Sequence, residues 1–105
     1  MKENNGITMS DLYTSVEPCK KKIGFQAIPN KELELNLEDI VPKMLESLKE
    51  YEIQRKTKVV LVLKHSTKDY ILSFFSSGRF LIRDMADSEE FSRTVKKIEE
   101  VVLEY

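Results

Sequence analysis

The sequence predicts an α+β domain: a curved antiparallel sheet of about four to five strands with two helices packed on its convex face, in the order β-α-β-β-β-α. Two observations carry this. Two stretches, Leu37–Tyr51 and Asp87–Tyr105, repeat their apolar residues at spacings of three and four, the period of a helix with one buried stripe. Between them lie three short runs rich in β-branched and aromatic residues, too closely connected to be anything but antiparallel neighbours.

Residues 1–18 mix Asn, Ser, Thr and charges without a sustained period, so they read as a loose, flexible N-terminal arm, with the domain proper at 19–105. In Lys21–Ile28, Ile23, Phe25 and Ala27 alternate as in a half-buried strand, and Pro29-Asn30 ends it. The first helix opens at Asn36, with Asp39 three residues on, and stripes Leu37, Ile40, Val41, Met44, Leu45, Leu48 and Tyr51 onto one face. Pro42 is expected to bend this helix or delay its regular start.

The strand runs are Val59–Leu63, Tyr70–Phe75 and Arg79–Arg83. Lys64–Asp69 forms one hairpin loop; Ser76-Ser77-Gly78 forms the other, with Gly at the position that needs a left-handed backbone. The final helix starts at Asp87 or Ser88, where Asp87 and Glu90 are spaced as a capping box, and gathers Phe91, Val95, Ile98, Val102 and Tyr105.

A chain of 105 residues fits one domain with a continuous core, without a disulfide or metal staple. The lone Cys19 excludes an internal disulfide framework and fits a reducing compartment. No stretch approaches the 18 or so apolar residues of a membrane span, and Met1–Asp11 lacks the apolar core of a signal peptide, so the expected location is cytoplasmic. Net charge is −1, which argues against indiscriminate binding of polyanions. The charges are nonetheless in blocks. Tyr51–Arg83 holds seven basic residues (Arg55, Lys56, Lys58, Lys64, Lys68, Arg79, Arg83) against Glu52 and Asp69, while the segments on both sides are acidic. Such blocks make one face basic and another acidic.

The stretch FSSGRFLIRDMADSEEFSRTVKKIEEVV, Phe75–Val102, resembles the end of a TATA-box-binding protein repeat. Leu37–Tyr51 is similar to that repeat's first helix, Glu50-Tyr51 to the Glu-Tyr that follows it, and Lys22–Ile28 to its first strand. The resemblance implies a sheet whose concave face lies against a DNA minor groove, with Phe wedges entering base steps. On it, Phe75 matches a wedge, and Arg79, Leu81 and Arg83 project onto the concave face while Phe80 and Ile82 point to the helices. Period-2 alternation separates the same two faces. The chain departs from the family in lacking the second wedge near Lys56-Thr57-Lys58 and the first-strand Asn near Phe25, and in carrying Arg83 in place of a Thr and Asp84 in place of a Gly. Most base-reading groups are thereby missing.

No catalytic constellation or cofactor motif is present. His65, the only histidine, reads as a solvated hairpin-loop residue, with no second histidine or cysteine cluster to complete a metal site. Ser76-Ser77-Gly78 joins two strands and reads as a turn rather than a nucleophile or phosphate loop. Tyr13, Tyr70 and Phe74 are candidates to stack on bases, but core packing is the simpler reading. Two functions follow. The first is a nucleic-acid-binding or transcription-associated module using Phe75, Arg79, Leu81, Arg83, Arg55, Lys56 and Lys58 on duplex DNA. The second is a protein-interaction adaptor that kept the fold and lost DNA contact. A single open sheet leaves an edge and a face uncovered, so a homodimer, or a protein partner across the sheet edge, is expected. Neither a membrane nor a small-molecule substrate is implied.

Overall fold

In a computed structural model the described residues are 12–13, 15–18 and 24–104. They form six strands and two helices: β1 Ser15–Pro18, β2 Gly24–Ile28, α1 Leu37–Ser47, β3 Tyr51–Lys56, β4 Val60–His65, β5 Ile71–Phe75, β6 Phe80–Arg83 and α2 Ser88–Leu103. The sheet order is β1-β2-β6-β5-β4-β3 and every pairing is antiparallel. The α+β class and the three central strands are as expected. Two strands are additional, β1 and β3.

β1 corrects the reading of residues 1–18 as a loose arm. Ser15–Pro18 pairs with Phe25–Ile28, and just before it Leu12 and Tyr13 are buried in the core. The Tyr13 hydroxyl donates to the Gly78 carbonyl at 2.6 Å, and the Leu12 amide donates to Glu99 Oε2 at 2.8 Å. These ties are made to residues far along the chain, which a local period does not register. Residues 1–11 lie outside the described residues, as do Lys21–Ile23 of the expected first strand.

β3 corrects the length of the first helix. Asn36 caps its start, accepting from the Glu38 amide at 3.0 Å, and the helix runs regularly from Leu37 through Pro42, so its start is not delayed. It stops at Ser47 rather than Tyr51: Leu48 leaves helical geometry (φ −112°, ψ 69°), and the Tyr51 amide donates back to the Leu48 carbonyl at 3.0 Å. Tyr51 then pairs with His65. Pairing with β4 overrides a helical period that happened to extend one turn further. In α2 the Asp87 side chain accepts from the Glu89 and Glu90 amides as expected, but the Glu90 carboxylate takes the Tyr70 hydroxyl at 2.8 Å.

Both helices cover one face of the sheet. Ile40, Met44 and Leu48 of the first helical segment and Phe91, Val95 and Ile98 of α2 are buried against Leu61, Leu63, Leu72, Phe74, Phe80 and Ile82. Tyr13 closes edge-on against Phe80, centroids 5.1 Å apart, so Tyr13 and Phe74 are core residues rather than base platforms. No helix among the described residues is long and apolar enough to cross a membrane.

Candidate nucleic-acid interface

Strand alternation builds the site. In β4, Leu61, Leu63 and His65 are buried while Val60, Val62 and Lys64 are half-buried on the opposite side; β5 and β6 repeat the pattern with Leu72 and Phe74, Phe80 and Ile82 inward. The face away from the helices is therefore defined by register. One row across it reads Gln26, Leu81, Ser73, Val62, Arg55; the next reads Gly24, Arg83, Ile71, Lys64, Glu52. A third row joins Arg79, Phe75 and Val60: the Phe75 amide donates to the Arg79 carbonyl at 2.9 Å and Phe75 pairs with Val60.

The centre of this face is mostly apolar, with Leu81, Ile71, Val62, Val60 and Phe75 around Ser73, all half-buried. Arg55, Arg79 and Arg83 are exposed around it, with half-buried Lys64. From β2 to β6 the one carboxylate on this face is Glu52. Most other acidic residues lie on or beside the helices, but so do Lys43, Arg93, Lys96 and Lys97, so the charge blocks resolve into faces only in part. Five strands spaced about 4.8 Å apart make the face about 19 Å across.

The hairpin that carries Phe75 and Arg79 is stiff. Gly78 has φ +92°, its amide donates to the Phe75 carbonyl at 2.8 Å, and a Cβ there would press on the Leu33 side chain. The Ser76 amide donates to the Val59 carbonyl at 3.0 Å and the Leu35 amide to the Ser76 carbonyl at 2.9 Å, so three chain segments hold this turn. Arg79 lies over the Phe75 ring, 4.7 Å from its centroid.

The sequence-named residues thus divide. Phe75, Arg79, Leu81, Arg83 and Arg55 share the open face. Lys56 and Lys58 do not: Lys56 is in register with inward-facing Leu61, and both lysines line a groove on the helix side with Glu34 and Glu38. The β-bulge between Ile53 and Arg55 is the cause, because it shifts the alternation of β3 by one residue. Lys64, Ile71, Val62 and Val60 were missed. The signal for them was available, since each alternates with an inward Leu or Phe on its own strand.

His65 corrects another expectation. It is the last residue of β4, not a solvated loop residue, and is buried edge-on between Tyr51 and Tyr70, with centroids at 5.0 and 5.4 Å. Its Nδ1 accepts from the Thr67 and Lys68 amides, each at 3.1 Å, so the ring proton sits on Nε2, 3.4 Å from Glu50 Oε1. The imidazole therefore closes the β4–β5 turn. Burial, then the Glu90 charge, raises the Tyr51 hydroxyl pKa, and the bond to Glu90 raises that of Tyr70. Among the described residues no group of three or more His, Cys, Asp or Glu side chains is arranged to hold a metal ion.

No family model matches the chain, and no curated protein or solved structure matches it either.

Proposed function

We propose that this is a nucleic-acid-binding domain, similar to a single TATA-box-binding protein repeat, which lays the open face of its sheet on duplex DNA in the cytoplasm. One observation carries the reading: Arg55, Lys64, Arg79 and Arg83 surround an apolar centre on the open face, where Glu52 is the one carboxylate on strands β2 to β6. Arginines meet phosphates while aliphatic side chains pack on sugar edges, a division of labour suited to backbone and groove-shape recognition. The similarity of Phe75–Val102 to the repeat supports the same face. The replacements at Arg83 and Asp84, with the second wedge missing at Lys56-Thr57-Lys58, favour binding with little sequence preference.

The test is fluorescence anisotropy with a short mixed-sequence DNA duplex across a salt series. Four neutralised phosphates give a log–log salt slope of roughly −3.6, a loss of about 10²-fold between 50 and 200 mM salt. Arg79→Ala with Arg83→Ala should flatten the slope by about 1.8. No binding at low salt, or an unchanged affinity in the double variant, removes this reading.

The apolar centre itself favours a second reading, a protein adaptor holding a partner on the same face. A stoichiometric protein partner whose affinity barely responds to salt, with no duplex binding, would establish it instead.

A further inference from the structure

β3 is one of the two outer strands of the sheet, and its backbone on the side away from β4 is unpaired among the described residues. Glu52 to Lys56 are all exposed. Ile53 lies opposite buried Leu63, on the helix side, yet is 43% exposed, so the helices do not reach under this edge. Neither Glu52 nor Arg55 has an ion-pair partner among the described residues.

The bulge makes this edge self-complementary. In a regular strand, residues 52 and 55 would point to opposite faces. Here Glu52 pairs with Lys64 and Arg55 with Val62, so the extra residue, Gln54, brings both charges onto the open face. Two antiparallel copies of one edge are related by an axis perpendicular to the sheet, which requires residues that meet across it to lie on the same face. Glu52 and Arg55 satisfy that condition, with opposite charges.

We propose that the chain forms a homodimer by antiparallel pairing of β3 with β3 of a second copy. Glu52 of each copy faces Arg55 of the other, and the two Ile53 side chains meet beside the axis under the sheet. The ladder and the covered isoleucines supply the affinity. The two charge pairs, exposed and individually weak, select the register and reject other strands. A charged, bulged edge repels most sequences; this one matches its own inverse. The two open faces then lie on the same side of one continuous sheet. The inference does not rest on nucleic-acid binding and is tested without it.

The experiment is size-exclusion chromatography with light scattering on the full chain, free of nucleic acid, over a concentration series. The wild type should reach twice the monomer mass. Glu52→Arg puts two arginines opposite two arginines, and Arg55→Glu puts two glutamates opposite two glutamates, so each variant alone should be monomeric. Mixed in equal amounts, they should recover the dimer mass, because every facing pair is then opposite in charge. Circular dichroism checks that both remain folded, and Ile53→Asp provides a second monomeric variant on the other face. A wild type that stays monomeric, a dimer that survives both single reversals, or a mixture that fails to associate overturns the proposal.

Discussion

The guanidinium of Arg79 lies over the ring of Phe75, 4.7 Å from its centroid, so the exposed cation and the half-buried aromatic form one stacked unit at the β5–β6 turn. Stacking of this kind at an exposed site contributes about 0.5–1 kcal/mol. Arg79→Ala should therefore lower stability in urea by no more than about 1 kcal/mol. Its effect on duplex affinity should be larger, because the charge and the ordered Phe75 surface are lost together. Arg79→Lys keeps the charge but not the planar stack, and should fall between wild type and Arg79→Ala in the anisotropy titration.

Tyr13 ties the same turn down from below through its bond to the Gly78 carbonyl. Tyr13→Phe retains the edge-on packing against Phe80 and removes the donor, leaving a buried carbonyl without it. The expected cost is about 1–2 kcal/mol in denaturant midpoint measurements. Hydrogen exchange at the Gly78 amide should speed up more than exchange in α1, since the loss is local to the turn.

The elements that were legible share one property: their residues follow the period that their own packing requires. Leu61, Leu63, Leu72, Phe74, Phe80 and Ile82 alternate because one face of each strand is buried, and Phe91, Val95 and Ile98 repeat because α2 has one buried stripe. β1 was illegible because it is short, and what fixes that end is single long-range bonds from Leu12 and Tyr13 to Glu99 and Gly78. β3 was masked because Tyr51 extends the three-four spacing of α1, although the chain has already turned at Leu48. Within the site, Phe75, Arg79, Leu81 and Arg83 were readable from alternation. Lys56 was misplaced by the bulge at Gln54, which follows from pairing with β4 and leaves no mark in the local pattern.

Alkaline pH should destabilise the fold, and the tyrosines set the sign. Burial, followed by the nearby Glu99 charge, raises the Tyr13 hydroxyl pKa well above its usual value. An unfolded tyrosine ionises near pH 10, so above that pH the unfolded chain releases a proton that the folded chain retains. Protons bound by the unfolded state become fewer than those bound by the native state, and stability falls as pH rises. Below pH 10 the contribution is fully present. For buried Tyr13 the slope is about −1.4 kcal/mol per pH unit above that point. Tyr13→Phe should lose this share of the slope in urea titrations between pH 9 and 11, and an unchanged slope would assign the alkaline loss to other groups.

His65→Phe should separate the two roles of the imidazole. The phenyl ring keeps the edge-on packing between Tyr51 and Tyr70, whereas the Thr67 and Lys68 amides lose their acceptor. A cost of about 1–2 kcal/mol is expected, with faster exchange at those two amides. The Glu50 contact adds little, because that carboxylate is 77% exposed. Glu50→Gln should leave stability within about 0.5 kcal/mol of wild type.

Gly24 and Asp84 bracket the backbone of Arg83, and opposite substitutions there should have opposite effects. Gly24 pairs with Arg83 at φ +152°, and a Cβ on it would run into the Ile82 carbonyl oxygen, so any side chain must break the β2–β6 ladder or strain the strand. Gly24→Ala should cost about 2 kcal/mol or more. Asp84 follows Arg83 with φ +68°, the left-handed region that a side chain makes unfavourable and glycine occupies freely. Asp84→Gly should therefore raise stability by about 0.5–1 kcal/mol, since relief of left-handed strain exceeds the entropy glycine adds to the unfolded chain. Removing a carboxylate next to Arg83 should at the same time tighten duplex binding at low salt. Thermal melts and anisotropy on the same two variants read both effects. A destabilised Asp84→Gly would mean that the aspartate side chain holds the turn through a bond worth more than the strain it bears.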